Sequence, residues 1–153
     1  MGGGVVRTDG RHHAVPTTLI TSDTVDGSVA ATATLLQRYV DKAFDVRLTV
    51  VGERMFPVAI HAGSVPARLD WRTDYGSLTY NADIAVPPEV AFGVRSLMRG
   101  LGLFFGALDF AVQPDGSWWF LEINANGNWH WLVKNAGVPL VDAMADALQE
   151  GRA

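Results

Sequence analysis

The 153-residue chain has no cysteine and only two lysines, Lys42 and Lys134. The first absence excludes disulfides and thiolate zinc sites and is compatible with a reducing compartment. The second, with a net charge of −4 and no basic block, argues against nucleic acid as a partner. No apolar run approaches the roughly 20 residues of a membrane-spanning helix. The opening MGGGVVRTDGRHH has no apolar signal core, and Val6 stands where N-myristoylation needs Ser or Thr. The expectation is a cytoplasmic protein with no membrane partner. What is abundant is apolar: 48% of residues are hydrophobic, enough for one compact core.

Local patterns predict antiparallel strands followed by helices, an α+β domain. Residues 17–21, TTLIT, read as a short strand, 22–36 as a loop with one helical turn, and 35–40, LLQRYV, as a strand. Val46 to Val51 and Met55 to His61 flank a Gly-Glu turn and read as a hairpin. RLDWRTDYGSLTY reads as a loop ending in a strand near Leu78 to Asn81. Pro87, Pro88 and Glu89 open a helix carrying Val90, Val94, Leu97, Met98 and Leu101 on one face, closed by Gly102. A last helix starts at Pro139, with Leu140, Val141, Met144, Ala147 and Leu148 as its apolar face.

The chemistry concentrates in FFGALDFAVQPDGSWWFLEINANGNWHWLV, where Asp109, Glu122 and Asn124 interrupt apolar runs. If Pro114 to Ser117 is the whole turn, Gln113 pairs with Trp118 and Asp109 faces Glu122. Directly opposed side chains lie roughly 4.5–5.5 Å apart at Cβ. Leu108, Phe110, Leu121 and Ile123 then form the other, apolar face. Like charges so placed destabilise a sheet unless one is protonated or a cation lies between them. Two carboxylates and the amide oxygen of Asn124 are hard ligands suited to Mg²⁺ or Mn²⁺, with phosphate and water completing the sphere. The alternative is an edge hairpin whose acids point to solvent. A one-residue slip of register would also separate them.

ALDF followed by FLEINANGNW resembles the C-terminal part of the ATP-grasp ligases. FLEINANGNWHWL, DKAFDVRLTVVGERMF and LDWR are similar, as a set, to segments of the ATP-grasp peptide maturases of microviridin or graspetide type. The likeness runs from about Gly2 to the end. It implies that residues 1–36 are a remnant of the central, small ATP-grasp subdomain and 37–153 the C-terminal nucleotide- and metal-binding domain. It implies ATP and Mg²⁺ (or Mn²⁺) as cofactors and a precursor peptide as substrate. Gln37, Tyr39 and Val40 of the hinge QRYV would hold adenine, and Asp45 the ribose hydroxyls. Arg72, supported by Arg47, would meet the terminal phosphates, and Asp109, Glu122 and Asn124 the metal. The implied activity is an ATP-dependent ligase that activates a peptide side-chain carboxylate as an acylphosphate and forms macrocyclic esters or amides.

Without the resemblance, Gln37 reads as an exposed strand residue, Asp45 and Arg47 as a surface ion pair, and Arg72 as an arginine stacked on Trp71. His12, His13, His61 and His130 show no ligand spacing and read as non-functional. Trp129 and Trp131 read as packing residues. Two departures from the family bear on activity. The domains that precede this part in a complete ligase, with their ATP-binding lysines, have no counterpart, and Gly2 to Gly4 read either as a frayed, linking terminus or as half of a phosphate-covering loop. The expectation is therefore an incomplete ligase, working in longer context or with a complementary N-terminal chain. The other reading is a non-catalytic nucleotide- or peptide-binding remnant. The family also admits a homodimer.

Overall fold

The structure, a computed structural model, describes residues 5–8, 11–14, 17–25, 27 and 35–151. The reading of Gly2 to Gly4 lies outside the described residues, as does most of 26–34. Strands β1 (Val5–Thr8) and β2 (Arg11–Ala14) pair antiparallel as a hairpin of their own. Strands β3 (Phe44–Val51) and β4 (Arg54–Ala62) follow. Next come helix α1 (Val65–Leu69), two 3₁₀ turns at Trp71–Thr73 and Tyr75–Ser77, strand β5 (Leu78–Asn81) and helix α2 (Pro88–Gly100). Strands β6 (Phe105–Val112) and β7 (Trp118–Asn124) and helices α3 (His130–Ala136) and α4 (Leu140–Gln149) complete the chain. The main sheet has five strands in the order β5-β4-β3-β6-β7, antiparallel throughout. The α+β architecture is the one the sequence predicts.

Strand β3 explains why both faces of this sheet are covered. Val46, Leu48 and Val50 project to one face, and Asp45, Arg47, Thr49 and Val51 to the other. On the first face they join Leu108, Phe110 and Val112 under α2, which contributes Val94 and Met98. Burying each of those two helix side chains contributes about 1.5–3 kcal/mol. On the second face, Val51 and Val58 pack against Leu132 of α3 and Leu140, Ala143 and Ala147 of α4. Ile60 packs with Ala67, Trp71 and Leu78. The helices therefore cover the Val51 end of the second face, while its Asp45 end, polar in sequence, carries no helix of that cluster. No helix among the described residues is long and apolar enough to cross a membrane.

Four sequence expectations need correction. Residues 17–21 and 35–40 form no strand; both carry β-prone side chains, but neither joins the ladder, whose edges are β5 and β7. Leu101, Val141 and Leu148 lie exposed, because Ala143, not Val141, completes the stripe that α4 turns to the sheet. Helix α3 occupies a segment to which the sequence patterns assign no element. Its N-cap residue Trp129 makes no side-chain capping bond, and the Asn128 side chain accepts the His130 N–H at 3.3 Å instead.

Candidate functional site

Strands β6 and β7 bring Asp109 opposite Glu122 by a route the turn alone would not give. The loop closes one residue earlier than the sequence suggests: Gln113 N–H bonds to Ser117 O at 3.0 Å and Gly116 N–H to Gln113 O at 3.0 Å. Gly116, at φ 86°, supplies the left-handed residue of this tight loop. Val112 accordingly pairs with Trp118 and Phe110 with Phe120, one step off the expected register. An irregularity between Asp109 and Phe110 then restores Asp109↔Glu122, Leu108↔Ile123 and Ala107↔Asn124. The extra residue is Leu121. It lines the cleft beside Asp109 and Ala111, which corrects its assignment to the apolar face, where Ile123 does pack. A bulge re-aims a side chain in this way.

Asp109 is not left to face Glu122 alone. Arg47, paired with it in register across β3 and β6, forks its carboxylate, Nε to Oδ1 at 2.5 Å and NH2 to Oδ2 at 3.1 Å. The guanidinium lies 5.7 Å from the Trp71 ring centre and 5.8 Å from that of Trp131, so planar aromatic walls hold the fork in place. The Asn128 carbonyl accepts Trp131 Nε1–H at 3.0 Å and Arg47 NH1 at 3.4 Å. The stacked arginine is thus Arg47 rather than Arg72, and Arg47 pairs with Asp109 rather than Asp45. The loop that carries Asn128 lies close on β6: a Cβ at Gly127 would stand 2.5 Å from Ala107 Cβ. Only glycine fits there. Asn124 Oδ1 accepts Asn126 N–H at 2.8 Å, a local turn that keeps its second lone pair in reserve.

Two further acids sit nearby with opposite character. Asp45 is 4% exposed, and burial raises its pKa to about 6, against the Lys42 ammonium that lowers it, with Asp109 and Asp70 adding to the rise. Lys42 Nζ donates to Asp45 Oδ1 at 2.7 Å and to Leu69 O at 3.4 Å. Burial also acts to raise Asp70, but hydrogen bonds from the Arg72 side chain and from the Thr17 and Arg72 amides outweigh it and hold that carboxyl at about 2. Arg72 Nε and NH2 reach Asp70 at 2.8 and 2.9 Å, and this pairing raises the guanidinium pKa further.

These groups line an open cleft with both polar and apolar walls, the mixed lining that small-molecule sites use. The structure brings Gln37, Tyr39, Val40, Asp45, Arg72 and Asp109 together in its wall. Arg47 adjoins the cleft through Asp109, and Glu122 through its register with Asp109; Asn124 follows, exposed, at the end of β7. Sequence reasoning missed Lys42, Asp70, Leu121 and the segment Thr17 to Ile20 as cleft residues. For Asp70 a signal existed, since it precedes Trp71 and Arg72 in the motif already singled out. His61 and His130 are exposed and stand outside the cleft wall; the His12 and His13 side chains lie outside the described residues. Trp131 packs against Tyr80 and Trp71, as a packing residue should.

Among the described residues no group of three or more His, Cys, Asp or Glu could hold a metal. A cation here would rest on Asp109, Glu122 and the Asn124 amide. The donors fit a hard divalent ion that takes one or two carboxylates and draws its remaining ligands from phosphate and water.

No family model and no curated protein matches the chain. Solved structures do. The macrocyclase MdnC from Microcystis aeruginosa MRC, bound with precursor peptide MdnA, is 29% identical, with a TM-score of 0.60, over 72% of this chain and 31% of its own. MdnB, a macrocyclase from the same source, is 26% identical with a TM-score of 0.61, over 87% of this chain and 48% of its own. A RiPP-associated ATP-grasp ligase from Chryseobacterium gregarium, in complex with ADP and a leader and core peptide, covers 99% of this chain and 46% of its own, at 23% identity and a TM-score of 0.79. The chain thus spans less than half the length of each of these proteins.

Proposed function

From a chain related in structure to the RiPP-associated ATP-grasp ligases, we propose the nucleotide- and metal-binding part of a peptide-modifying ligase. The observation that carries this reading is the cleft. Gln37, Tyr39, Val40, Asp45, Arg72 and Asp109 come from separate segments, were nominated from sequence, and share one wall. On this reading residues 37–153 are the nucleotide- and metal-binding domain and 1–36 belong to the central subdomain.

The cleft chemistry suits ATP. Ile20 and Leu121 offer apolar surface to a base, and the hinge Gln37 to Val40 offers backbone donors and acceptors to its edge. Asp45, with Lys42 on Oδ1 as its bonded partner among the described residues, keeps lone pairs for ribose hydroxyls. Arg72 supplies a guanidinium charge to the terminal phosphates, and Arg47, bonded to Asp109 of the cleft wall, supports it. Asp109, Glu122 and Asn124 would hold Mg²⁺ or Mn²⁺, which when bound neutralises charge on the β- and γ-phosphates.

The reaction follows from carboxylate activation. An oxygen of a precursor-peptide carboxylate attacks the γ-phosphorus, the bond to the β-phosphate oxygen breaks, and ADP leaves. A hydroxyl or amine of the peptide then attacks the acyl carbon, loses its proton and expels phosphate. The chain's residues contribute position and charge rather than covalent chemistry. The partners proposed are the precursor peptide, a complementary N-terminal ATP-grasp chain and a second copy of this one. A binding-only remnant is the second reading, favoured by one observation: Lys42, the lysine in the cleft wall, is engaged by Asp45 and the Leu69 carbonyl. ATP hydrolysis that depends on added precursor peptide supports the ligase; Mg·ADP binding without turnover supports the remnant.

A further inference from the structure

Asp70 has no part in the reading above, yet its carboxylate is 5% exposed at the cleft wall. Oδ1 accepts the Arg72 backbone N–H at 3.1 Å and Arg72 Nε–H at 2.8 Å. Oδ2 accepts Arg72 NH2 at 2.9 Å and the Thr17 backbone N–H at 3.1 Å. An ionised carboxylate offers about four lone-pair sites, so these four donors use the group fully. Nothing is left for a cation or a ribose hydroxyl. Asp45, with Lys42 as its bonded partner among the described residues, is a ligand by capacity; Asp70 is not.

The geometry of those contacts gives Asp70 another task. Arg72 has several rotatable bonds, and an arginine in a cleft would otherwise lose conformational freedom on meeting a ligand. Here a carboxylate two residues back, which also caps the Trp71–Thr73 turn, grips the guanidinium through two parallel bonds and leaves the side chain 29% exposed. We propose that Asp70 is a positioning residue that, by holding the Nε–NH2 edge, pre-sets the plane and charge of the Arg72 guanidinium for the terminal phosphates of the bound nucleotide. The inference rests on the nucleotide reading of the cleft.

The test titrates ADP and adenosine into the 153-residue chain as wild type, D70N, R72K and the double variant, with thermal unfolding confirming that each is folded at the titration temperature. Asparagine keeps an acceptor for the Thr17 amide but cannot fork an arginine. The expected result is about tenfold weaker ADP binding in D70N, with adenosine changed less than about threefold. R72K, which cannot present a planar fork, reproduces the ADP loss, and the double variant loses no more than either single one. Equal losses for ADP and adenosine, additive losses, or unchanged ADP binding in D70N overturn the role alone. A wild type that binds neither ligand overturns the nucleotide reading and this role with it. Should D70N unfold, the ¹H–¹⁵N signal of Arg72 Nε in the wild type decides: slow solvent exchange supports the grip, and exchange as fast as in a free arginine overturns it.

Discussion

Arg47 lies across both carboxylate oxygens of Asp109, at 2.5 and 3.1 Å, with Asp109 itself opposite Glu122 in the β6–β7 ladder. The charge that makes the facing acids tolerable in this structure is a guanidinium. On the proposed reading, a bound divalent ion would take over that task.

The first prediction follows from that exchange. Replacing Arg47 by Gln leaves Asp109, 15% exposed at its side chain, without its fork, which costs about 2–3 kcal/mol. Urea unfolding checks the loss. Millimolar Mg²⁺ should restore more stability to R47Q than it adds to the wild type, because the ion replaces the missing charge.

Asp45 sets a pH dependence. Its pKa of about 6 in the fold lies above the unfolded value, so its contribution to stability is complete below about pH 4 and is lost as pH rises through 6. Unfolding measured across that window should show the wild type losing up to about 3 kcal/mol relative to D45N. Asp70, lowered to about 2, runs the other way: its contribution is present above about pH 4 and lost as pH falls toward 2. On the proposed reading the ionised Asp45 accepts ribose hydroxyls more strongly than its protonated form, so adenosine affinity should rise by up to about tenfold between pH 5 and 7 in the wild type and stay flat in D45N.

Gly127 tests the loop over β6. A methyl group there would meet Ala107 Cβ at 2.5 Å, and neither atom can swing away. G127A should lower stability by about 1–3 kcal/mol, seen as a reduced melting temperature. Adding A107G should recover most of it, since the clash is with that methyl group.

Leu121 owes its place in the cleft to the bulge. L121S should weaken adenosine binding about tenfold, the scale of a lost buried leucine contact, while the response of stability to Mg²⁺ stays that of the wild type. Calorimetry reads the first and urea unfolding the second.

How much of this was legible depended on which interactions a segment makes. The β3–β4 hairpin and α2 were readable because local pattern and burial agree: Val46, Leu48 and Val50 alternate, and Val94 and Met98 recur at a helical turn. The Asp109–Glu122 pairing was also read correctly, although through a turn taken one residue too long and a bulge not foreseen, two displacements that cancel. Leu121 was misplaced for the same reason, since a bulge has no period to betray it. The segments 17–21 and 35–40 look like strands, but whether such a stretch joins a sheet depends on a partner edge that sequence does not display. Asp70 and Lys42 have local partners in Arg72 and Asp45, but their contacts with the Thr17 amide and the Leu69 carbonyl are far along the chain, so their place in the cleft wall was missed even though the Asp70 motif had been singled out.

The facing acids remain the centre of the account, and calorimetric titration of Mg·ADP into the wild type and E122Q tests them most directly. The expected result is binding at least about tenfold weaker in E122Q, with affinity for ADP in the absence of divalent ions unchanged. Equal affinities for Mg·ADP in the two proteins would contradict it.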